Sequence, residues 1–166
     1  MDFNLDKPLS TRIEAWGKAH YKFWYWCAVQ LINGYALVWV IFGLLGWLAW
    51  WVLPVIAFSA WLLAISTQAI VARERPKFEQ KTGYQMWWRT YAFPSGHATI
   101  SSAVATVILL ASVGPSLPVL IALGVVFFIA EILIGLGRIV VGVHYLGDVL
   151  VGFGVGIAFG VMFSVL

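Results

Sequence analysis

Long, nearly uncharged apolar runs limit what this chain can fold into. Residues 118–137 carry Glu131 as their single charged side chain, and residues 144–165 carry Asp148. A helix needs about 20 mainly apolar residues to cross a bilayer, and both runs reach that length. Only 10% of the whole chain is charged, against about 25% in a typical soluble domain, so a soluble globule would lack polar surface. We therefore predict an integral protein of the cell or inner membrane.

The same runs predict the fold class, an all-α polytopic membrane bundle of about five transmembrane helices plus an N-terminal amphipathic interfacial helix. Residues 1–22 form the interfacial part, because Ile13 and Trp16 recur at helical spacing among charged residues. They contain no short apolar segment of the kind that a cleaved signal peptide has, so we expect the first span to direct insertion. Residues 23–166 form the rest of a single membrane domain, in which Gln30 indicates a bend or a late start of the first span. The predicted spans are residues 23–47, 52–73, 97–113, 118–137 and 144–165.

Basic residues are confined to one side of this predicted bundle. Counting spans from the N-terminus places residues 1–22, the loop at 73–94 and the link at 138–143 on the same side. All ten Lys and Arg residues lie there. The positive-inside rule assigns such a side to the cytoplasm.

Three polar clusters lie at the membrane edge of the basic side. Residues 75–76 end the second span, residues 94–97 begin the third, and residues 138–148 contain the link before the fifth. Each cluster alone has an ordinary explanation, such as a helix cap, an interfacial arginine or a structural His–Asp pair. Together they bring two arginines, two histidines and a carboxylate to one membrane depth, where polar groups are costly unless they have a function. We therefore interpret the three clusters as one active site.

The residue types in these clusters suit the transfer of a phosphoryl group. Arg75 and Arg138 can hold phosphate oxygens in fork geometry. The backbone N–H groups around Ser95 and Gly96, at a predicted helix start, favour an anion. Two histidines and a carboxylate could instead bind zinc, but the two guanidinium groups would repel a cation. We expect no metal, no cofactor and no nucleic-acid partner.

The histidines supply the reactive groups in this hypothesis. His144 can attack phosphorus if its far ring nitrogen donates a hydrogen bond to Asp148, which would select the tautomer and stabilise positive charge. His97 can then protonate the leaving oxygen and later activate a water molecule.

These motifs resemble those of the type 2 phosphatidic acid phosphatase superfamily, the lipid phosphate phosphatases. The family pattern reads Lys, six residues, Arg-Pro; then Pro-Ser-Gly-His; then Ser-Arg, five residues, His, three residues, Asp. Residues 94–97 match the second motif in full, and residues 138–148 match both spacings of the third. The resemblance covers residues 68–148 and implies a bundle that usually has six helices, the interfacial helix being the sixth here. It implies that His144 is the nucleophile, Asp148 its partner and His97 the acid and base, and that phosphate is bound by Arg75, Ser95, Gly96 and Arg138.

Two positions depart from the family pattern. Gly137 stands where the family has serine, and Gln68 stands where it has a phosphate-binding lysine. Arg73 or Lys77 could supply the missing charge, although neither is in register with the lysine. Because the departure at residue 68 removes a positive charge, it predicts weaker phosphate binding, a less charged substrate or an altered activity.

Glu131 offers a partner for the exceptional glutamine. It lies seven residues before Arg138, and Gln68 lies seven residues before Arg75. Seven residues correspond to about 10 Å of helix rise, so both side chains should lie at a similar depth below the phosphate. We hypothesise that they hydrogen-bond across helices.

The sequence thus predicts a membrane enzyme that hydrolyses a phosphomonoester or pyrophosphate of a bilayer lipid through a phosphohistidine. By the resemblance, candidate substrates are prenyl pyrophosphates such as undecaprenyl pyrophosphate, phosphatidylglycerophosphate, phosphatidate and lipid A phosphates. One alternative is a phosphotransferase that passes the phosphoryl group to a second lipid. Another is a non-catalytic lipid-binding membrane protein. The resemblance implies an active face in the periplasm or another extracytoplasmic space, against the cytoplasmic side that the charge pattern favours.

Overall fold

All regular secondary structure in the described part of the protein is helical. The computed structural model describes residues 5–46, 49–76, 91–113 and 118–165, and these contain no strand. The prediction of an all-α membrane bundle is confirmed. The helices are α1 (Lys7–Gly17), α2 (Tyr21–Val29), α3 (Leu31–Leu45), α4 (Val52–Val71), α5 (Gly96–Val113), α6 (Pro118–Val140) and α7 (Leu146–Ser164), with a short 3₁₀ helix, Lys18–His20, between α1 and α2.

The predicted first span, residues 23–47, is divided between α2 and α3. The division lies at Gln30, whose N–H closes α2 by donating to the Trp26 carbonyl at 2.8 Å. A new turn begins at once, because the Asn33 N–H donates to the Gln30 carbonyl at 3.0 Å and their side-chain amides also bond at 2.9 Å. The polar pair therefore interrupts the apolar run at the position where the sequence predicts a bend.

The outward faces of the helices are apolar. By length and composition, Lys7–Ile41, Val52–Val71, Ile121–Val140 and Leu146–Ser164 can each cross a membrane, and the apolar part of α5, Gly96–Ala111, is shorter. Large apolar side chains point outward from these helices. Phe58 of α4 is 59% exposed and Ile132 of α6 is 55% exposed. Such a surface is stable against lipid tails rather than water. The protein is therefore an integral membrane protein.

Helix α5 is the centre of the bundle, with α4, α6 and α7 packed around it. Glycines on α7 let the two backbones touch. A Cβ atom at Gly152 would lie 2.8 Å from the Ser95 carbonyl oxygen, and one at Gly160 would lie 2.8 Å from that of Ala103. This close packing of small residues brings the first turn of α5 beside the first turn of α7.

The N-terminal helices cover the link between α6 and α7. Ala28 and Val29 of α2 pack against Val141 and Val143 of that link. Helix α1 contacts both α6 and α7. The predicted interfacial segment is therefore docked on the end of the bundle that carries the polar clusters.

Candidate active site

The polar motif residues meet where α4 ends, α5 and α7 begin, and α6 joins α7. Ser95 N–H donates to the Asp148 carbonyl at 2.9 Å, and Arg75 Nη1 lies 3.5 Å from His144 Nε2. His97 lies within electrostatic reach of Arg75, Arg138 and His144. The structure thus brings together the residues that the sequence predicts, namely Arg75, Ser95, Gly96, His97, Arg138, His144 and Asp148.

His144 is held in one orientation by a main-chain carbonyl. Its Nδ1 lies 2.8 Å from the Ala92 oxygen but 3.8 Å from Asp148 Oδ2. The predicted hydrogen bond from His144 to Asp148 is therefore wrong, because the donor is already used by Ala92. A carbonyl only accepts, so Nδ1 carries the proton and Nε2 keeps its lone pair.

The unprotonated nitrogen of His144, Nε2, faces a guanidinium group. Arg75 is fixed there by bonds from Nη1 to the Val143 carbonyl at 3.4 Å and from Nη2 to the Tyr91 carbonyl at 3.2 Å. Burial lowers the pKa of His144 well below its ordinary value, and the positive charges of Arg75 and Arg138 lower it further. His144 is therefore neutral at pH 7, with a lone pair directed toward a cation that could hold an anionic substrate.

Asp148 braces two loops rather than the histidine ring. It is completely buried. Its Oδ2 accepts the Tyr145 N–H at 2.7 Å, and its main-chain oxygen accepts the Ser95 N–H. The Ser95 N–H, predicted as a phosphate donor, is thus occupied. Asp148 instead ties the start of α5 to the residue that follows His144.

Other donors at the start of α5 remain available. The first intrahelical bond runs from the Thr99 N–H to the Ser95 carbonyl at 2.9 Å. The N–H groups of Gly96, His97 and Ala98 therefore have no partner within the helix. The buried Ser95 hydroxyl has no hydrogen-bond partner among the described residues. These groups suit an anion at the helix N-terminus, beside the partly exposed ring of His97.

Arg73 lies between two carboxylates. Its Nη1 is 2.6 Å from Asp148 Oδ1, and its Nη2 is 2.6 Å from Asp6 Oδ1. Its guanidinium also lies 4.2 Å from the centre of the Tyr145 ring. Both terminal nitrogens of Arg73 thus serve carboxylates. Arg73 does not take the place of the missing lysine, and Lys77, the other candidate, lies outside the described residues.

Asp6 and Tyr145 both contact Arg73 although neither residue is one that a sequence motif specifies. Asp6 occupies the N-cap position of α1, two residues before Pro8, where aspartate is common. Its side chain makes no capping bond to α1. It reaches Arg73 instead, 67 positions along the chain. A local pattern can identify the cap position, but it cannot identify so distant a partner.

The glycine before Arg138 has a packing explanation. A Cβ atom at Gly137 would lie 2.7 Å from the Trp24 carbonyl oxygen and 2.9 Å from the Ala28 nitrogen. Arg138 Nη1 lies 3.5 Å from the Ala28 carbonyl. The backbone of α2 therefore occupies the space that a serine side chain would need at residue 137.

Gln68 touches the loop before α5 and not Glu131. Its Nε2 donates to the Pro94 carbonyl at 2.9 Å and lies 3.8 Å from where a Cβ of Gly96 would be. No hydrogen bond joins Gln68 to Glu131 in the described structure. Glu131 is buried, with 2% exposure, and its Oε2 has no hydrogen-bond partner within the described part of the chain. The hypothesised contact is wrong because equal helix rise fixes depth but not which neighbour a helix face meets.

Comparison with known proteins gives a family and two similar folds. The profile of the PAP2 superfamily matches residues 48–166. No curated protein matches the sequence significantly. A transmembrane PAP2-type phosphatidylglycerolphosphate phosphatase from Bacillus subtilis has a similar structure, with a TM-score of 0.69 and 21% identity over 98% of this chain and 86% of that one. LpxE from Aquifex aeolicus has a TM-score of 0.70 and 20% identity, over 98% of this chain and 96% of that one.

Proposed function

Because this chain belongs to the PAP2 superfamily, we propose that it is a membrane lipid phosphate phosphatase that hydrolyses a phosphomonoester or pyrophosphate. The observation that carries the proposal is the state of His144. Its Nδ1 bonds to the Ala92 carbonyl, while its Nε2 lies 3.5 Å from Arg75 Nη1. A neutral ring with its lone pair beside a phosphate-binding cation is the arrangement that a phosphohistidine mechanism needs.

The first step transfers the phosphoryl group to the enzyme. Arg75, Arg138 and the first N–H groups of α5 hold the phosphate oxygens. His144 Nε2 then forms a bond to phosphorus while the bond from phosphorus to the lipid oxygen breaks. His97, protonated beside the negative charge of the bound phosphate, donates its proton to that oxygen, so the lipid leaves as an alcohol or, from a pyrophosphate, as a monophosphate.

The second step returns the enzyme to its starting state. His97, now neutral, takes a proton from a water molecule as the water oxygen bonds to phosphorus. The bond from phosphorus to His144 Nε2 breaks and inorganic phosphate leaves. The Asp148 carboxylate, 3.8 Å from Nδ1, stabilises the positive charge of the phosphorylated ring.

The substrate class is a phosphorylated lipid, because the polar site opens at the end of a bundle whose outer surface is apolar. The two similar structures support this class, since one is by name a phosphatidylglycerolphosphate phosphatase. A lipid tail would lie along the outward apolar faces while its headgroup reaches Arg75 and His97. Prenyl pyrophosphates, phosphatidylglycerophosphate, phosphatidate and lipid A phosphates all satisfy this requirement.

Phosphate release from a panel of these four lipid classes tests the function. Purified protein in detergent micelles should release inorganic phosphate from at least one of them, and glycerol 3-phosphate, which lacks the tails, should be a poorer substrate. Labelled phosphate that appears on a second lipid instead of in solution would identify a phosphotransferase. Folded protein that is inactive on the whole panel would contradict the proposal and favour a lipid-binding role.

Excess EDTA should leave the activity unchanged. Two guanidinium groups already supply the positive charge that a metal would bring, and Coulomb repulsion disfavours a cation beside them. The measurement is the initial rate of phosphate release before and after chelation. Loss of activity that a divalent ion restores would show that the metal-free mechanism is wrong.

A further inference from the structure

We propose that Asp6 and Arg73 are positioning residues for this reaction, so that the docked N-terminal helix forms part of the active site. The inference rests on the proposed function. It is based on three charged side chains in contact, Asp6, Arg73 and Asp148, which extend from the start of α1 to the first turn of α7. Nothing in the motif pattern contains Asp6 or Arg73.

Arg73 is the central member of this chain. Besides the two 2.6 Å ion pairs, its Nη1 lies 3.1 Å from Asp6 Oδ2. The Arg73 side chain is 5% exposed and that of Asp148 is fully buried. A buried carboxylate is stable only when its charge has a partner. Arg73 therefore allows Asp148 to stay ionised where it is.

Helix α1 also completes the start of α7. The Gly147 N–H donates to Asp6 Oδ2 at 2.8 Å, and the Leu146 N–H donates to Ser10 Oγ at 2.9 Å. These are first-turn N–H groups of α7, which have no partner inside their own helix. The side chains of Ser10 in α1 and of its N-cap residue Asp6 thus cap a different helix, and that helix begins two residues after His144.

Asp6 is charged under ordinary conditions. Burial raises the pKa of its carboxyl, but hydrogen bonds from Arg73 and the Gly147 N–H outweigh that effect and lower it overall. Asp6 therefore stays ionised at neutral pH and keeps its pairing with Arg73 there. Its loss of charge would need a pH below the ordinary aspartate range.

The chain of charges reaches both reactive histidines through Asp148. The Asp148 carboxylate holds the Tyr145 N–H, next to His144, and its main-chain oxygen holds Ser95, two residues before His97. A change at Arg73 would therefore alter the distance between the nucleophile and the proton donor. Small errors in such distances slow the chemical step in the bound complex, so they lower kcat more than they change KM.

The test compares three variants, Arg73→Gln, Arg73→Lys and Asp6→Asn, with a control. The control is Arg12→Gln, which removes an exposed charge from α1. Arg73→Gln should lower kcat about 30-fold and change KM less than about 3-fold. Asp6→Asn should lower kcat about 5-fold. The kcat of Arg73→Lys should lie between those of wild type and Arg73→Gln. Arg12→Gln should match wild type. Phosphoenzyme trapped by an alkaline quench, in which the N–P bond of a phosphohistidine survives, counts the active molecules, so kcat is expressed per active site.

A second measurement does not depend on activity. Trypsin should cleave after Arg12 or Lys18 several-fold faster in Asp6→Asn than in wild type, because undocking exposes α1. Unchanged cleavage and a kcat within 2-fold of wild type in both Asp6→Asn and Arg73→Gln would overturn the inference. So would Arg73→Lys with no more activity than Arg73→Gln. If wild type releases no phosphate while Asp6→Asn is cleaved faster, the docking stands and the proposed function fails.

Discussion

Replacement of His144 by alanine is expected to reduce phosphate release by at least about 1,000-fold, because it removes the nitrogen that forms the bond to phosphorus. In the wild type, Nε2 is unprotonated beside Arg75 Nη1, and the ring is oriented by the Ala92 carbonyl. The measurements are the rate of phosphate release and the labelling of the protein after an alkaline quench, which preserves phosphohistidine. The label should be present in the wild type and absent from the variant.

His20 provides the matched control for this prediction. It is exposed in the 3₁₀ helix near the same end of the bundle, so His20→Ala should retain wild-type activity. His97→Ala should differ from both variants, because the nucleophile remains while proton transfer is lost, and slow labelling of His144 should persist. Full activity in His144→Ala would exclude His144 as the nucleophile.

The fold was predictable because a bilayer allows few solutions. Apolar runs near 20 residues must be helices, and the bounds of α4 and α7 lie within about two residues of the predicted ones. The sequence predicted a bend or a late start at Gln30, whereas the structure has two separate helices that meet there. A polar residue in an apolar run does not reveal how the backbone hydrogen bonds around it will be arranged. The docking of α1 on α6 and α7 could not be predicted, since amphipathic periodicity identifies a face but not its partner.

The candidate site was predictable in residue type and less so in connectivity. Motif spacing places His144 and Asp148 on one turn, yet the ring nitrogen bonds to the Ala92 carbonyl, a main-chain group that any residue could supply. Arg73 looked like a substitute for the lysine but pairs with Asp6 and Asp148. Charge and spacing therefore locate the site, whereas the partner of each charge depends on loops that local patterns do not determine.

Gly156→Val should lower both the stability of the fold and the rate of phosphate release. A Cβ atom at Gly156 would overlap the Ser102 hydroxyl and the Thr99 carbonyl and would lie 3.1 Å from the Ala103 nitrogen. Two of these contacts are backbone atoms of α5, so no side-chain rotation relieves them, and α7 would have to move away. Overpacking costs about 3 kcal/mol or more, which corresponds to a fall of about 10 °C in Tm. The measurements are Tm in detergent and phosphate release.

Gly154→Val is the matched control, because the same substitution two residues away meets nothing within 4 Å on the outer face of α7. Its Tm should change by less than about 2 °C and its activity should be retained. The two variants should differ in activity because α5 carries His97 and α7 begins just after His144. Separating these helices breaks the bond from Ser95 to Asp148 and moves the proton donor away from the nucleophile. Equal stability of the two variants would show that close contact between α5 and α7 does not hold the site together.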